Sequence, residues 1–345
     1  MPSAPIAGPS GRKATAPPPG ASPVAPVVAI PSAPAVAQFA ADVKRYLTLS
    51  PRQLPSRYLY DELGSALFEA ICHLPWYPLT RAEMRLLEAH APEVLDRRVT
   101  SIVELGAGSG LKLAALLRTA GPQRGGLEAH IVDVSAAALA ETRRALAGFD
   151  GVRVVTHETT YEAGLETLHR APHARGRRLM LFLGSNIGNF DPEGRDLFLR
   201  SLRGALRSGD RLLLGADLVK PMRDLLPAYD DPLGVTAAFN LNLLARINRE
   251  LWADFVLDRF EHHVVWNAER SRIEMHLRST VAQRVVVPAA GLDLTFRKSE
   301  TIWTESSYKY EASGVVEMLE RAGFGIVAQW LDAPDRFALT LAEAS

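Results

Sequence analysis

The stretch Ser101-Ile-Val-Glu-Leu-Gly-Ala-Gly-Ser-Gly-Leu-Lys112 constrains the fold of this chain more than any other. An apolar, β-type run ends in an acid, Glu104. Glycines follow at 106, 108 and 110, and a helix-like run, Leu113 to Leu117, begins directly after them. The pattern is a strand, a tight turn and a helix N-terminus. Glycines there let the backbone come close to a ligand, and the free N–H groups of the first helical turn face it. Such a turn can hold a nucleotide-like molecule.

The residues downstream supply a sheet around that turn. β-like runs at 101–105, 129–134, 152–156, 179–183 and 211–216 alternate with helical patterns at 112–118, 136–146, 161–169 and 194–206. Repeated βα units imply a parallel sheet with helices on both faces, with ligands outside the carboxyl ends of the strands. After Asp217 the pattern changes: 237–248 is helical, while 263–266, 273–277 and 281–287 alternate like antiparallel strands, an insertion expected to cover the site. A helix at 315–322 and strands at 325–330 and 337–341 close the chain, the last two joined as a hairpin by Asp332-Ala-Pro-Asp335. Upstream, 37–50 reads as an amphipathic helix, and a loop at 57–64 leads into a helix at 67–74. Thr80-Arg-Ala-Glu83 fits a capping box opening a helix through Leu86, Leu87 and His90.

Composition bounds the function. The 345 residues are 47% hydrophobic and 23% charged, enough for one large core or two smaller ones. Formal net charge is zero, which argues against a nucleic-acid or anionic-membrane partner. No apolar run approaches the ~20 residues of a membrane span. The single cysteine, Cys72, sits in an apolar run and reads as a core residue; with no internal disulfide possible, a cytoplasmic setting is expected. Residues 1–36 are mostly Pro, Ala, Ser, Gly and Val and are expected to form a disordered arm. Pro26 and Pro31 break its Ala/Val stretch, which argues against a secretory signal.

The glycine turn by itself is compatible with a dinucleotide or with S-adenosylmethionine. Glu104 stands two residues before the first glycine, where it can meet the amino-acid part of the latter through a water or a turn amide. Asp133 ends the second strand of the sheet, placed to accept from ribose hydroxyls, as either cofactor requires. The terminal hairpin favours the methyl donor, because an antiparallel pair finishing a parallel sheet is a habit of class I methyltransferases.

Several longer motifs occur in order: Tyr58-Leu-Tyr-Asp-Glu-Leu-Gly-Ser65, Leu74-Pro-Trp-Tyr-Pro-Leu-Thr-Arg81, Phe182-Leu-Gly-Ser-Asn-Ile-Gly-Asn189, Asp217-Leu-Val-Lys220, Ala228-Tyr-Asp-Asp231, Phe239-Asn-Leu-Asn242, Asn248-Arg-Glu-Leu251, Arg272-Ile-Glu-Met275 and Thr304-Glu-Ser-Ser-Tyr-Lys309. Through them, over roughly residues 40–345, the chain resembles the histidine Nα-methyltransferases of ergothioneine biosynthesis, which trimethylate L-histidine to hercynine. The resemblance implies an α/β class I fold, Rossmann-like, with a mostly parallel sheet and a C-terminal antiparallel hairpin, plus a smaller α+β substrate-binding domain. It divides the chain into the arm (1–36), the substrate-binding domain (37–85 and 220–308) and the cofactor domain (86–219 and 309–345).

The resemblance also assigns roles. Tyr77, Asn189 and Tyr229 match the grip on the substrate's carboxylate and amino end. Tyr60 lies by the amine, Gly184 brings backbone close to the substrate, Glu305 and Ser307 read the imidazole, and Met275 walls the same pocket. The carboxylate and hydroxyl, two residues apart on one strand, point to one face. The cofactor set is Glu104, Gly106, Gly108, Lys112, Asp133, Thr160 and Tyr161. Taken singly, Tyr60 and Tyr77 are ordinary aromatics, Tyr229 a loop residue, Asn189 a turn former and Glu305 a solvated strand charge; their joint occurrence carries the assignment. Asn248-Arg-Glu250 reads as structural. Thr160 stands where the family usually has an Asp that bonds the adenine amino group, so this contact loses its charge here; Trp76 and Pro78 depart from a common Glu and Tyr at the pocket rim.

The expected reaction is direct displacement by the α-amine, three times over, in a monomer acting on a small molecule. No strong base is apparent; proton loss to water assisted by Tyr60 or Asn189 is the working expectation. Two alternatives stand beside it: methylation of another aromatic amine, and a nicotinamide-dependent oxidoreductase on the same turn.

Overall fold

A computed structural model describes residues 33–121, 126–170 and 176–345. In chain order the elements are α1 (Ala33–Leu47), β1 (Arg52–Gln53), α2 (Glu62–His73), α3 (Leu79–Val94), β2 (Val99–Leu105), α4 (Leu111–Ala120), β3 (Leu127–Asp133), α5 (Ala136–Leu146), β4 (Val152–Glu158), α6 (Tyr161–Arg170), β5 (Arg177–Phe182), α7 (Pro192–Gly204), β6 (Arg211–Asp217), α8 (Met222–Tyr229), α9 (Val235–Leu251), β7 (Phe260–Asn267), β8 (Arg272–Ser279), β9 (Gln283–Val287), β10 (Leu292–Phe296), β11 (Thr301–Tyr308), α10 (Ala312–Arg321), β12 (Phe324–Asp332) and β13 (Phe337–Ala344).

The large sheet has seven strands in the order β12-β13-β6-β5-β2-β3-β4. β2 to β6 run parallel, and β13 enters antiparallel between β6 and β12. That is the expected class I methyltransferase arrangement, terminal hairpin included. Its central strands are largely apolar and deeply buried because helices cover both faces: every residue of β6 is buried. Successive residues feed opposite layers. Leu213 packs with Ile102, Leu181 and the helices α3 and α4, whereas Leu212 and Leu214 pack with Phe198, Leu199 and Met318 on the other side.

A second, four-stranded sheet runs β1-β11-β8-β7, and β9 and β10 form a separate antiparallel pair. α9 packs against α2, β7 and β8. A short 3-10 turn, Asn186–Asn189, leaves the end of β5 and touches both β6 and β11, so it seams the two sheets together.

The expected strands and helices occur with ends shifted by a few residues. Other expectations need correction. Of the supposed arm, residues 1–32 lie outside the described residues, but Ala33 to Val36 form the first turn of α1. The capping box does not form. α3 starts at Leu79, after Pro78 at the cap position with no side-chain cap bond, so Thr80 already lies inside the helix. The boundary expected between 85 and 86 falls within this helix. Tyr229 is not in a loop; it is the last residue of α8. Among the described residues no helix is long and apolar enough to cross a membrane.

Candidate active site

The glycine turn opens a large cleft. Gly106 follows β2 with φ +75°, and its N–H donates to Val132 O at 2.8 Å. A Cβ there would stand 2.6 Å from Tyr161 Oη and 2.9 Å from Asn186 Nδ2, so only glycine lets these side chains close over the turn. One cavity of about 1320 Å³ is bordered by Gly106, Gly108, Lys112, Asp133, Thr160 and Tyr161, and it continues to Tyr60, Tyr77, Gly184, Asn189 and Glu305. Asp133 ends β3, where its carboxylate accepts from Ser135 N at 2.9 Å and, more weakly, from Gly108 N at 3.4 Å. Burial pushes its pKa up despite those bonds.

Glu104, expected to act through a water or a turn amide, is buried behind the turn and does not border the cleft. Burial drives its pKa up to about 8, Lys112 opposing, and its Oε2 has no hydrogen-bond partner among the described residues. A buried acceptor behind open backbone, an acid at the end of the next strand and a deep cleft fit a cofactor with a cationic amino-acid end and a ribose.

The inner end of the cleft narrows to a pocket. Tyr60, Tyr77, Gly184, Asn189, Tyr229, Met275, Glu305 and Ser307, all expected on the substrate side, line it together. They come from the loop before α2, the loop before α3, the seam turn, α8, β8 and β11. Glu305 pairs with Met275 across the β11–β8 ladder, which sets the acid beside its apolar wall. Tyr60 packs edge-on against Phe68 and Phe239, each at 5.5 Å. Burial lifts the hydroxyls of Tyr60 and Tyr77 well above the usual tyrosine range, so both stay neutral. Glu305 is pushed up to about 7 by burial, with Lys309 pulling the other way. Tyr229 Oη and Ser307 Oγ lie 2.9 Å apart. Asn248, Arg249 and Glu250 stay structural: Asn248 pins Phe255, and Arg249 pairs with Asp61.

Three contributors escaped the sequence. Glu83, cast as a capping residue, is fully buried. Both its oxygens accept from Gly184 N at 2.9 Å, and Oε2 lies 2.6 Å from Lys112 Nζ. It thus ties the substrate-side glycine to the cofactor-side lysine, and outweighs burial to keep that lysine charged. Asn186, in the quoted Phe182–Asn189 motif, borders both the cleft and the pocket. Lys309, in the motif beginning at Thr304, supports the pocket from below. Each lay in a recognisable motif, but only the fold shows what it touches.

Comparison with known proteins bears on this geometry. A family model described as histidine-specific, S-adenosylmethionine-dependent methyltransferase matches residues 39–344. The chain belongs to that family. Within the family, it is 43% identical over 304 residues to a histidine N-alpha-methyltransferase of Mycobacterium tuberculosis, covering 87% of this chain and 93% of that one. It is 28% identical to ergothioneine biosynthesis protein 1 of Neurospora crassa, over 81% of this chain and 32% of the fungal protein. Among solved structures, an O-methyltransferase family protein from Burkholderia thailandensis superposes with a TM-score of 0.44 at 14% identity, covering 84% and 62% of the two chains. The family's cofactor is S-adenosylmethionine, and membership displaces the nicotinamide alternative.

Proposed function

We propose that this family member transfers three methyl groups in succession to the α-amine of L-histidine, giving hercynine. The observation that carries this is the pairing of Glu305 and Ser307 on one face of β11, in the pocket at the inner end of the cleft that the glycine turn borders. A carboxylate and a hydroxyl side by side bond an imidazole through its N–H and its second nitrogen, and a site built for such bonds rejects rings that lack them. Met275 fills the space beside the ring.

Tyr77, Asn189 and Tyr229 hold the α-carboxylate. Phenol and amide donors bind it without placing a cation next to a sulfonium. Tyr60 borders the amine, and its ring face favours the ammonium that grows with each transfer. S-adenosylmethionine, when bound, supplies an electrophilic methyl group. Gly106, Gly108, Lys112 and Asp133 would hold its amino-acid and ribose ends, Glu104 would compensate its ammonium from behind the turn, and Thr160 with Tyr161 would border the adenine. Catalysis is then mainly alignment and exclusion of water. The neutral, partly buried Tyr60 is a poor base, so it and Asn189 orient the amine while its proton leaves to solvent along the cleft.

In this scheme residues 37–85 and 220–308 supply most of the substrate side and 86–219 and 309–345 most of the cofactor side, with Gly184 and Asn189 reaching into the substrate pocket. Every residue named comes from one copy, so a monomer suffices, and the lone thiol suits the cytoplasm. Mass spectrometry of products from S-adenosylmethionine with histidine, tryptophan, tyrosine and phenylalanine tests the proposal. A gain of three methyl groups on histidine alone is expected; methylation of another amino acid in preference overturns it.

A further inference from the structure

Below the pocket, polar side chains from several elements close into one buried network. Lys309 follows the end of β11, and its side chain is fully buried. Its Nζ lies 2.8 Å from Asp217 Oδ2 and donates to Tyr229 Oη at 2.6 Å and to Ser307 Oγ at 2.9 Å. Asp217, at the end of β6 and equally buried, is shared with Lys220, whose Nζ is 2.6 Å from Oδ1. Burial works against the Lys309 ammonium, but Asp217 outweighs it and the group stays charged.

An ammonium has three N–H donors and no lone pair. Two on Lys309 go to the hydroxyls, and Asp217 holds the ammonium as an ion pair, so both hydroxyls receive from it and each keeps its own proton. Burial pushes the Tyr229 hydroxyl upward in pKa, Lys309 opposing, so that proton stays on. At most one of the two protons serves the 2.9 Å contact between the hydroxyls. At least one O–H is left for the pocket's occupant.

We propose that Lys309, held by Asp217, is a positioning residue that makes the Tyr229–Ser307 hydroxyl pair a hydrogen-bond donor toward the substrate, so that the pocket selects a molecule offering a carboxylate or a ring-nitrogen lone pair there. This rests on reading the pocket as a histidine site. Two lysines against one aspartate leave surplus positive charge beneath the floor, balanced by Glu305 and by the incoming carboxylate. The cation acts through two hydroxyls and never stands beside the sulfonium. Without it, each hydroxyl is free to turn its proton toward Asp217 or its neighbour.

Titration calorimetry on the full chain, with histidine, histidinamide and S-adenosylhomocysteine as separate ligands, tests this. Lys309→Met should weaken histidine binding about 30-fold or more and shrink the preference for histidine over histidinamide about tenfold. S-adenosylhomocysteine binding should stay within about twofold, and Lys309→Gln, which keeps an N–H donor, should recover part of the loss. Lys220→Met removes the same charge from buried Asp217, which should lower stability in a thermal melt, but it touches neither hydroxyl and should change histidine binding less than about threefold. Unchanged histidine affinity in Lys309→Met, an equal loss in Lys220→Met, or loss of S-adenosylhomocysteine binding alongside would each overturn the proposal. A wild-type chain that binds no histidine defeats the proposed function instead.

Discussion

The cofactor cleft and the substrate pocket meet at Gly184 and Lys112 but are built by different means. The cofactor side of the cleft is built from strand ends and turns between 106 and 161, where a glycine turn with positive φ at 106, 108 and 110 stands beside Asp133 at the end of the next strand. The pocket collects side chains from Tyr60 to Lys309, most of them buried and several of them ionisable. Recognition spread over backbone resists single substitutions. Recognition concentrated in a few desolvated groups does not, because each group left unpartnered costs its full desolvation.

The sharpest contrast is expected at Glu305. Glu305→Ala should lower kcat/KM for histidine at least about a hundredfold while the KM for S-adenosylmethionine hardly moves. Tryptophan and phenylalanine should gain relative to histidine in the same competition assay; unchanged relative rates would remove Glu305 from the specificity role.

The same residue should also weaken the free protein. Its pKa rises from 4.5 to about 7 on folding, so the folded state holds the proton more tightly and ionisation costs stability as pH climbs through that window. Glu305→Gln should therefore stabilise the free chain at pH 8 by up to about 3 kcal/mol, with the gain fading toward pH 4. Urea midpoints at the two pH values measure this; an equal shift at both would break the comparison.

On the cofactor side, Gly106→Ala forces a positive φ and a contact with Tyr161 and Asn186. Cofactor affinity should fall about tenfold to a hundredfold by calorimetry, with histidine selectivity preserved. The smallest effect is expected at Thr160. Thr160→Asp should restore a charged acceptor at the adenine edge and tighten the cofactor about threefold to tenfold. No change would show that the adenine is held elsewhere.

Legibility followed the same divide. The central strands β2, β5 and β6 were readable because strands covered on both faces are largely apolar, β4 at the edge by its run of β-branched residues, and the turn between β2 and α4 announces itself locally. The pocket was recognised through motifs, yet their partners were hidden. Thr80 and Glu83 satisfied a capping rule, but the helix already starts at Leu79 after Pro78 at the cap, and a backbone N–H and a lysine far along the chain claim the carboxylate. Asp217 and Lys309 stood in separate motifs with no mark of kinship. They meet because Tyr310 N donates to Asp217 O at 3.1 Å where β6 and β11 end side by side, a tertiary fact with no local signature. Tyr229, surrounded by Pro227 and two aspartates, looked like loop and closes a helix instead.

The most direct measurement is a crystal structure of the chain with L-histidine and S-adenosylhomocysteine bound together. The imidazole should lie between Glu305 and Ser307 within about 3 Å of both, with the α-amine facing the sulfur across Gly184. An imidazole lodged elsewhere, or a histidine whose carboxylate occupies the Glu305 end, would contradict the account.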